Sequence, residues 1–144
     1  MRIAVGSDHA GLDVKNIVKE RLEALGHEVT DLGTNSPART DYPDYAHLVG
    51  KAVAAGKADR GVLVCATGIG MCIAANKVSG VRAALAYSEE TARLSRAHND
   101  SNVLCLGGRT MDLPLALSML EIWLETPFDG GRHKPRVDKL EKTD

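Results

Sequence analysis

The sequence predicts an α/β fold, a single-domain, doubly wound, Rossmann-like sandwich with a five-stranded parallel sheet flanked by helices. Three observations lead there. Short aliphatic runs alternate with stretches of helical spacing along the chain. Several runs are continuous Val, Leu and Ile instead of alternating with polar residues, as in strands buried on both faces. No repeat, low-complexity segment or long linker divides the 144 residues, about one domain's length.

The elements follow in order. Arg2 to Ser7 reads as a strand closed by Gly6, Ser7 and Asp8. Gly11 to Leu25 places Leu12, Ile17, Val18, Leu22 and Leu25 at helical intervals before Gly26 stops the pattern. Strands are then expected over Glu28–Leu32, Arg60–Cys65, Val81–Tyr87 and Val103–Leu106. Helices are expected over Pro43–Ala55, Met71–Val78 and from Ser88 to about Arg96, the last with a serine cap and Glu89 and Glu90 in its first turn. Asp112 caps a final large helix that tolerates Pro114 in its first turn and carries Leu115, Leu117, Met119, Leu120 and Trp123. Gly33 to Asp41 is a long irregular stretch, either a loop near a site or a surface connection, and Gly130 to Asp144 is a short charged tail.

Composition excludes several classes of function. Eighteen basic against 19 acidic residues give a net charge of −1, without the basic excess that releases counterions from a phosphate backbone, so nucleic acid is not an expected partner. The uncharged stretch from Gly61 to Ala75 is broken by Thr67, Gly68 and Gly70 and falls short of the roughly 20 apolar residues of a membrane span. The first strand leads directly to Asp8, so a signal peptide is not expected. Three cysteines, Cys65, Cys72 and Cys105, leave one unpaired in any disulfide scheme, which fits reduced thiols and a cytoplasmic protein.

In an open α/β sheet, ligands bind beyond the carboxyl ends of strands where connections diverge to opposite faces. With a flavodoxin-like strand order, that point lies between the first and third strands, whose ends carry Ser7-Asp8-His9 and Cys65-Ala66-Thr67-Gly68-Ile69-Gly70. The second segment runs from strand into helix, and its glycines let bare backbone N–H groups approach an anion; a tight structural turn would use the same glycines. Ile73 stands where the third glycine of a dinucleotide fingerprint belongs, and no phosphate-binding Gly-x-x-x-x-Gly-Lys sequence occurs. Cys65, at a strand-to-helix junction, suits a base or nucleophile as well as a core thiol; Cys72 and Cys105 read as packing. The cysteine spacing does not suit zinc. Asp8 could hold a sugar hydroxyl and His9 a phosphate, or both could be turn residues. His98 could simply complement a helix C-terminus. Arg132 and Arg136 stand four apart and would share one helical face if the tail is helical, either around a phosphate dianion or in solvent.

Taken together, Gly6-Ser7-Asp8-His9-Ala10-Gly11, Asp41-Tyr42-Pro43-Asp44-Tyr45, Cys65-Ala66-Thr67-Gly68-Ile69-Gly70, Ala74-Ala75-Asn76-Lys77, Ser95-Arg96-Ala97-His98-Asn99-Asp100 and Gly130-Gly131-Arg132-His133 strongly resemble the type B ribose-5-phosphate isomerases. The resemblance runs in order from Ile3 to about Arg136. It implies interconversion of ribose 5-phosphate and ribulose 5-phosphate without metal or organic cofactor, by homodimers or tetramers whose active sites lie at a dimer interface. It further implies Cys65 as the base, Thr67 as an aid to proton movement and His98 as the acid that opens the furanose. Asp8 would position hydroxyls, and His9, Arg132 and Arg136 would grip phosphate. The backbone of Ala66, Gly68, Ile69, Gly70 and Met71 would face the enediolate, with Tyr42, Asn99 and Arg109 completing the pocket. The segment 130–144 would thereby complete the phosphate site. One branch of the family lacks this cysteine and uses a glutamate further along the loop; Met71 and Cys72 stand there in this chain, so a thiolate mechanism is expected. The alternatives are a hexose-phosphate isomerase of the same chemistry, on allose 6-phosphate or galactose 6-phosphate, and a noncatalytic sugar-phosphate-binding protein. A pure binding module has no use for Cys65, Thr67 and His98 together.

Overall fold

A computed structural model describes residues 1–143; Asp144, the end of the expected tail segment, lies outside them. Five parallel strands, β1 (Arg2–Ser7), β2 (Glu28–Asp31), β3 (Arg60–Cys65), β4 (Ala83–Leu85) and β5 (Val103–Gly107), form one sheet in the order β2-β1-β3-β5-β4. Their registers pair Ala4 with Gly61 and Leu63 with Cys105. The flavodoxin-like expectation holds for β2-β1-β3, while the last two strands exchange places. The reason lies in their side chains: all five residues of β5 are buried, which suits the interior, whereas β4 is three half-buried residues, which suits an edge.

Helices α1 (Leu12–Ala24), α4 (Glu89–Ala97) and α5 (Leu113–Glu125) cover one face, and α2 (Tyr42–Ala54) and α3 (Ile69–Ala75) the other. All the βαβ crossovers thereby share one hand, as the chirality rule for parallel sheets requires. Ile3, Val5, Val62, Val64, Leu104 and Leu106 point from the strands into the first layer, against Val18, Leu22, Leu120 and Trp123. Ala4, Leu63, Cys65, Val103 and Cys105 point the other way, against Val49, Met71 and Ala75. The indole of Trp123 is fully buried and donates from Nε1 to Ser101 Oγ at 2.8 Å, while the guanidinium of Arg60 lies over its ring.

Four elements differ from expectation. β4 is Ala83–Leu85 where Val81–Tyr87 was expected, because Val81 N–H turns back to Val78 O and Tyr87 N–H donates to Thr91 Oγ1 instead of to a neighbouring strand. α3 begins two residues early, because Gly68 takes a left-handed φ of +79° and ends the preceding turn there. It stops at Ala75, where the amide of Asn76 turns instead to β4, bonding both Ala83 O (3.0 Å) and Ala83 N (2.8 Å). The charged tail contains a 3-10 turn (Gly131–His133) and a short helix, α6 (Lys134–Asp138).

Candidate active site

The carboxyl ends of β1, β3 and β5 meet as one cluster. After β3 the chain turns so that Gly68 N–H donates to Cys65 Sγ at 3.1 Å, and Ile69 N–H donates to Thr67 Oγ1 at 3.2 Å. Cys65 is buried and Thr67 exposed, so the turn offers a shielded sulfur beside a free hydroxyl. A side chain cannot replace Gly68, whose added Cβ would lie 3.0 Å from the Leu106 backbone. From the β5 end, Gly108 N–H donates to Cys65 O at 2.8 Å and Arg109 N–H to Ala66 O at 3.0 Å, which fastens the turn and brings Arg109 to it.

Asp8 caps the turn after β1, its carboxylate accepting from Gly11 N–H at 3.0 Å. His9 is tied to the irregular loop in both directions: its N–H donates to Thr40 Oγ1 at 3.3 Å, and its Nδ1 accepts from Thr40 N–H at 3.2 Å. The near end of the same loop is joined to β1 by Ser7 N–H to Gly33 O and Thr34 N–H to Ser7 O, both 2.7 Å. Beneath it, the fully buried Lys15 donates to both oxygens of Asp31, to Thr34 O and to Asn35 Oδ1. Sequence reading missed Lys15, because a lysine on a helix normally marks the solvent face. Tyr42 closes the far side, with its ring where a Cβ on Gly70 would sit.

The remaining expected residues do not join this cluster. α4 runs back along the sheet, so His98 and Asn99 emerge at the amino end, beside the start of β4 and β5. There Asp100 adopts a positive φ of 49° and accepts from Arg96 Nη1 at 2.9 Å and Arg82 Nη2 at 3.2 Å. The tail returns to the same end: Asp129 N–H donates to Ala97 O at 3.0 Å. His98, Asn99, His133 and Arg136 then line a pocket of about 220 Å³. Arg132 and Arg136 are exposed and make no side-chain hydrogen bond among the described residues. The length of β3 separates the two clusters by on the order of 15–20 Å. Asp8, His9, Tyr42, Cys65 to Met71 and Arg109 thus form one cluster, and His98, Asn99, Arg132 and Arg136 another.

The comparisons with known proteins agree on kinship. The profile of the Ribose/Galactose Isomerase family matches residues 3–140. The chain is 47% identical over 139 residues to ribose-5-phosphate isomerase B of Escherichia coli, covering 96% of this chain and 93% of that one. The structure of Clostridium thermocellum ribose-5-phosphate isomerase B superposes with a TM-score of 0.97 at 46% identity, covering 99% and 96% of the two chains. That of the Mycoplasma genitalium protein with bound ribulose-5-phosphate gives 0.94 at 45% identity, covering 98% and 94%.

Proposed function

The chain belongs to the ribose/galactose isomerase family, and on that premise we propose that it interconverts ribose 5-phosphate and ribulose 5-phosphate at a site completed by a second copy of the chain. The observation that carries the reading is the Cys65 turn: a buried sulfur at the head of a glycine-rich loop, hydrogen-bonded by Gly68 N–H, with Thr67 beside it.

In this mechanism the Cys65 thiolate removes the proton from C2 of the open-chain aldose. The Gly68 hydrogen bond steadies the anionic sulfur before the transfer. Charge then grows on the sugar oxygens, facing the backbone N–H groups of the loop around Gly70 and Met71, where each well-placed donor contributes about 3 kcal/mol to the transition state. Thr67 carries a proton between O1 and O2, and return of the proton to C1 gives the ketose. Asp8 holds the sugar hydroxyls, and Tyr42 and Arg109 bound the pocket. His98 protonates the ring oxygen to open the furanose. Because His98, Asn99, Arg132 and Arg136 stand at the opposite end of the sheet from Cys65, one chain cannot bring them to the same substrate. A second copy presenting its amino-end cluster to this loop completes the site, with Arg132 and Arg136 of the partner subunit and His9 around the phosphate. Residues 1–144 act as one domain, its tail serving the phosphate site.

Proton NMR in deuterated water tests the reaction. Conversion of ribose 5-phosphate with solvent deuterium appearing at the exchanging carbon is expected; conversion without deuterium would replace proton transfer by hydride shift, and no conversion would move the substrate to six-carbon phosphates. Mixing inactive Cys65→Ala and His98→Asn chains under exchange conditions tests the shared site, since hybrid dimers hold one intact site and regain turnover. If the mixture stays inactive, the two half-sites do not meet.

A further inference from the structure

His98 and His133 stack, with ring centroids 4.2 Å apart and planes within 14° of parallel. No role above uses His133. The stack is built from the backbone: His98 caps α4, its N–H donating to Leu94 O, while Asp129 N–H donates to Ala97 O and His133 N–H to Gly130 O. The tail is thereby laid against the helix end. His133 is the covered ring, 8% exposed, whereas His98 is half-buried and opens with Asn99 and Arg136 onto the pocket. The charged groups around His133 are His98 from α4, Asp129 before the turn, and Arg132 and Arg136 from the tail. Lost hydration above all, then the cationic neighbours, hold its imidazole below the usual histidine range, with Asp129 opposing them.

We infer that His133 is a positioning residue for ring opening, its buried imidazole fixing by stacking the plane in which His98 meets the sugar. This rests on the reading of His98 given above. The ring open to the pocket is the one placed to deliver a proton to the sugar, and the covered ring sets its plane. His98, Asp129 and His133 also bring possible ligand atoms within 4.8 Å of one another. Near-parallel rings, however, aim their nitrogen lone pairs side by side instead of at one point, and the two arginines oppose a cation. The geometry therefore favours proton delivery over metal binding.

The test separates ring opening from proton abstraction. Ribulose 5-phosphate is an open-chain ketose, so loss of its C1 proton to deuterated water needs Cys65 but no ring opening. For His133→Ala, kcat from ribose 5-phosphate is expected to fall about tenfold or more, with KM and the C1 exchange rate held within about twofold. His133→Phe, which keeps an aromatic face without a titrating nitrogen, is expected to recover most of the lost kcat. Equal loss in both reactions, a change confined to KM, no change at all, or a phenylalanine variant no better than alanine would each overturn the inference. So would micromolar Zn²⁺ binding by calorimetry that Asp129→Ala abolishes. His98→Asn is run beside them. If it spares kcat, the role of His98 itself is wrong; if it abolishes aldose turnover while His133→Ala does not, only the role of His133 falls.

Discussion

Replacing Lys15 by methionine tests how the site loop is held. The ammonium has three protons, and four acceptor atoms receive them: both oxygens of Asp31 at 2.8 and 3.0 Å, Thr34 O at 2.5 Å and Asn35 Oδ1 at 2.9 Å. Methionine fills nearly the same volume, so packing loss is small and the cost is electrostatic. Asp31 keeps only the Gly33 N–H at 2.9 Å, and its side chain is 12% exposed, enough for partial rehydration. Removing one partner of a buried pair costs about 3–5 kcal/mol, and the rehydration places this case near the lower figure. Against a usual stability of about 5–15 kcal/mol the variant still folds. With a urea slope of about 2 kcal/mol/M, its midpoint at matched protein concentration drops by about 1.5 M. The loop that Lys15 anchors also orients His9 through Thr40, so KM for the sugar phosphate rises more than the rate of bound substrate falls. Lys15→Met/Asp31→Leu, which removes both charges, recovers most of the midpoint. A single variant within about 1 kcal/mol of wild type would refute the assignment of Lys15 as the anchor.

Gly11→Ala would place a Cβ 2.3 Å from the carbonyl oxygen of Val64, a backbone atom one residue before Cys65, so the variant is expected to lose more than about 2 kcal/mol in urea unfolding and most turnover together. The neighbouring Cys105 thiol, with Asn76 Nδ2 donating to the sulfur, brings the Cys72 thiol down to about 7, while the interaction with Cys72 and burial push Cys105 up. Since the thiolate is the nucleophile, the alkylation rate of Cys72 rises with pH and reaches half its plateau near pH 7, and Cys105 stays unlabelled in the native state, as peptide mapping of iodoacetamide adducts would read. Cys65→Ser is expected to match wild type in urea and to lose nearly all exchange of the ribulose 5-phosphate C1 proton; substantial residual exchange would remove Cys65 as the base.

The fold was legible where the signal is periodic or terminal. Continuous aliphatic runs marked β1, β3 and β5, and Ser88 with two glutamates marked the start of α4. The strand order was not, because exchanging β4 and β5 changes no local pattern; it follows from which run is buried at both ends. α6 was hidden by five mostly charged or proline positions, Lys134 to Asp138, that read as tail. The meeting of the carboxyl-end residues was readable because a doubly wound sheet brings the ends of its first and third strands side by side at the switch point. The depth of Lys15 and the His98–His133 stack were not, since each depends on a contact between segments remote in sequence. The distance between the two groups was not drawn from the sequence, although the topology requires it: a helix that follows β4 must return to the amino end before β5 can begin.

That geometry bears on the surface around the Cys65 loop. Tyr42, Leu48, Ile69 and Ile73 are 41%, 49%, 52% and 59% exposed, and Ile69 and Ile73 lie one turn apart on the outer side of α3. Large apolar side chains grouped on α2 and α3 next to a site are costly to leave in water and indicate a face that another surface covers. If that surface is the second chain, Ile73→Lys disrupts the interface without touching Cys65, Thr67 or His98, and its exposed position leaves the fold of each chain intact. The expected result is a monomer by light scattering with native circular dichroism and almost no turnover, because each chain keeps half of the groups. In wild type, activity per chain falls on dilution through the dissociation range. A monomeric Ile73→Lys protein with full activity would mean that one chain suffices, and that the groups at the amino end of the sheet take no part in the reaction.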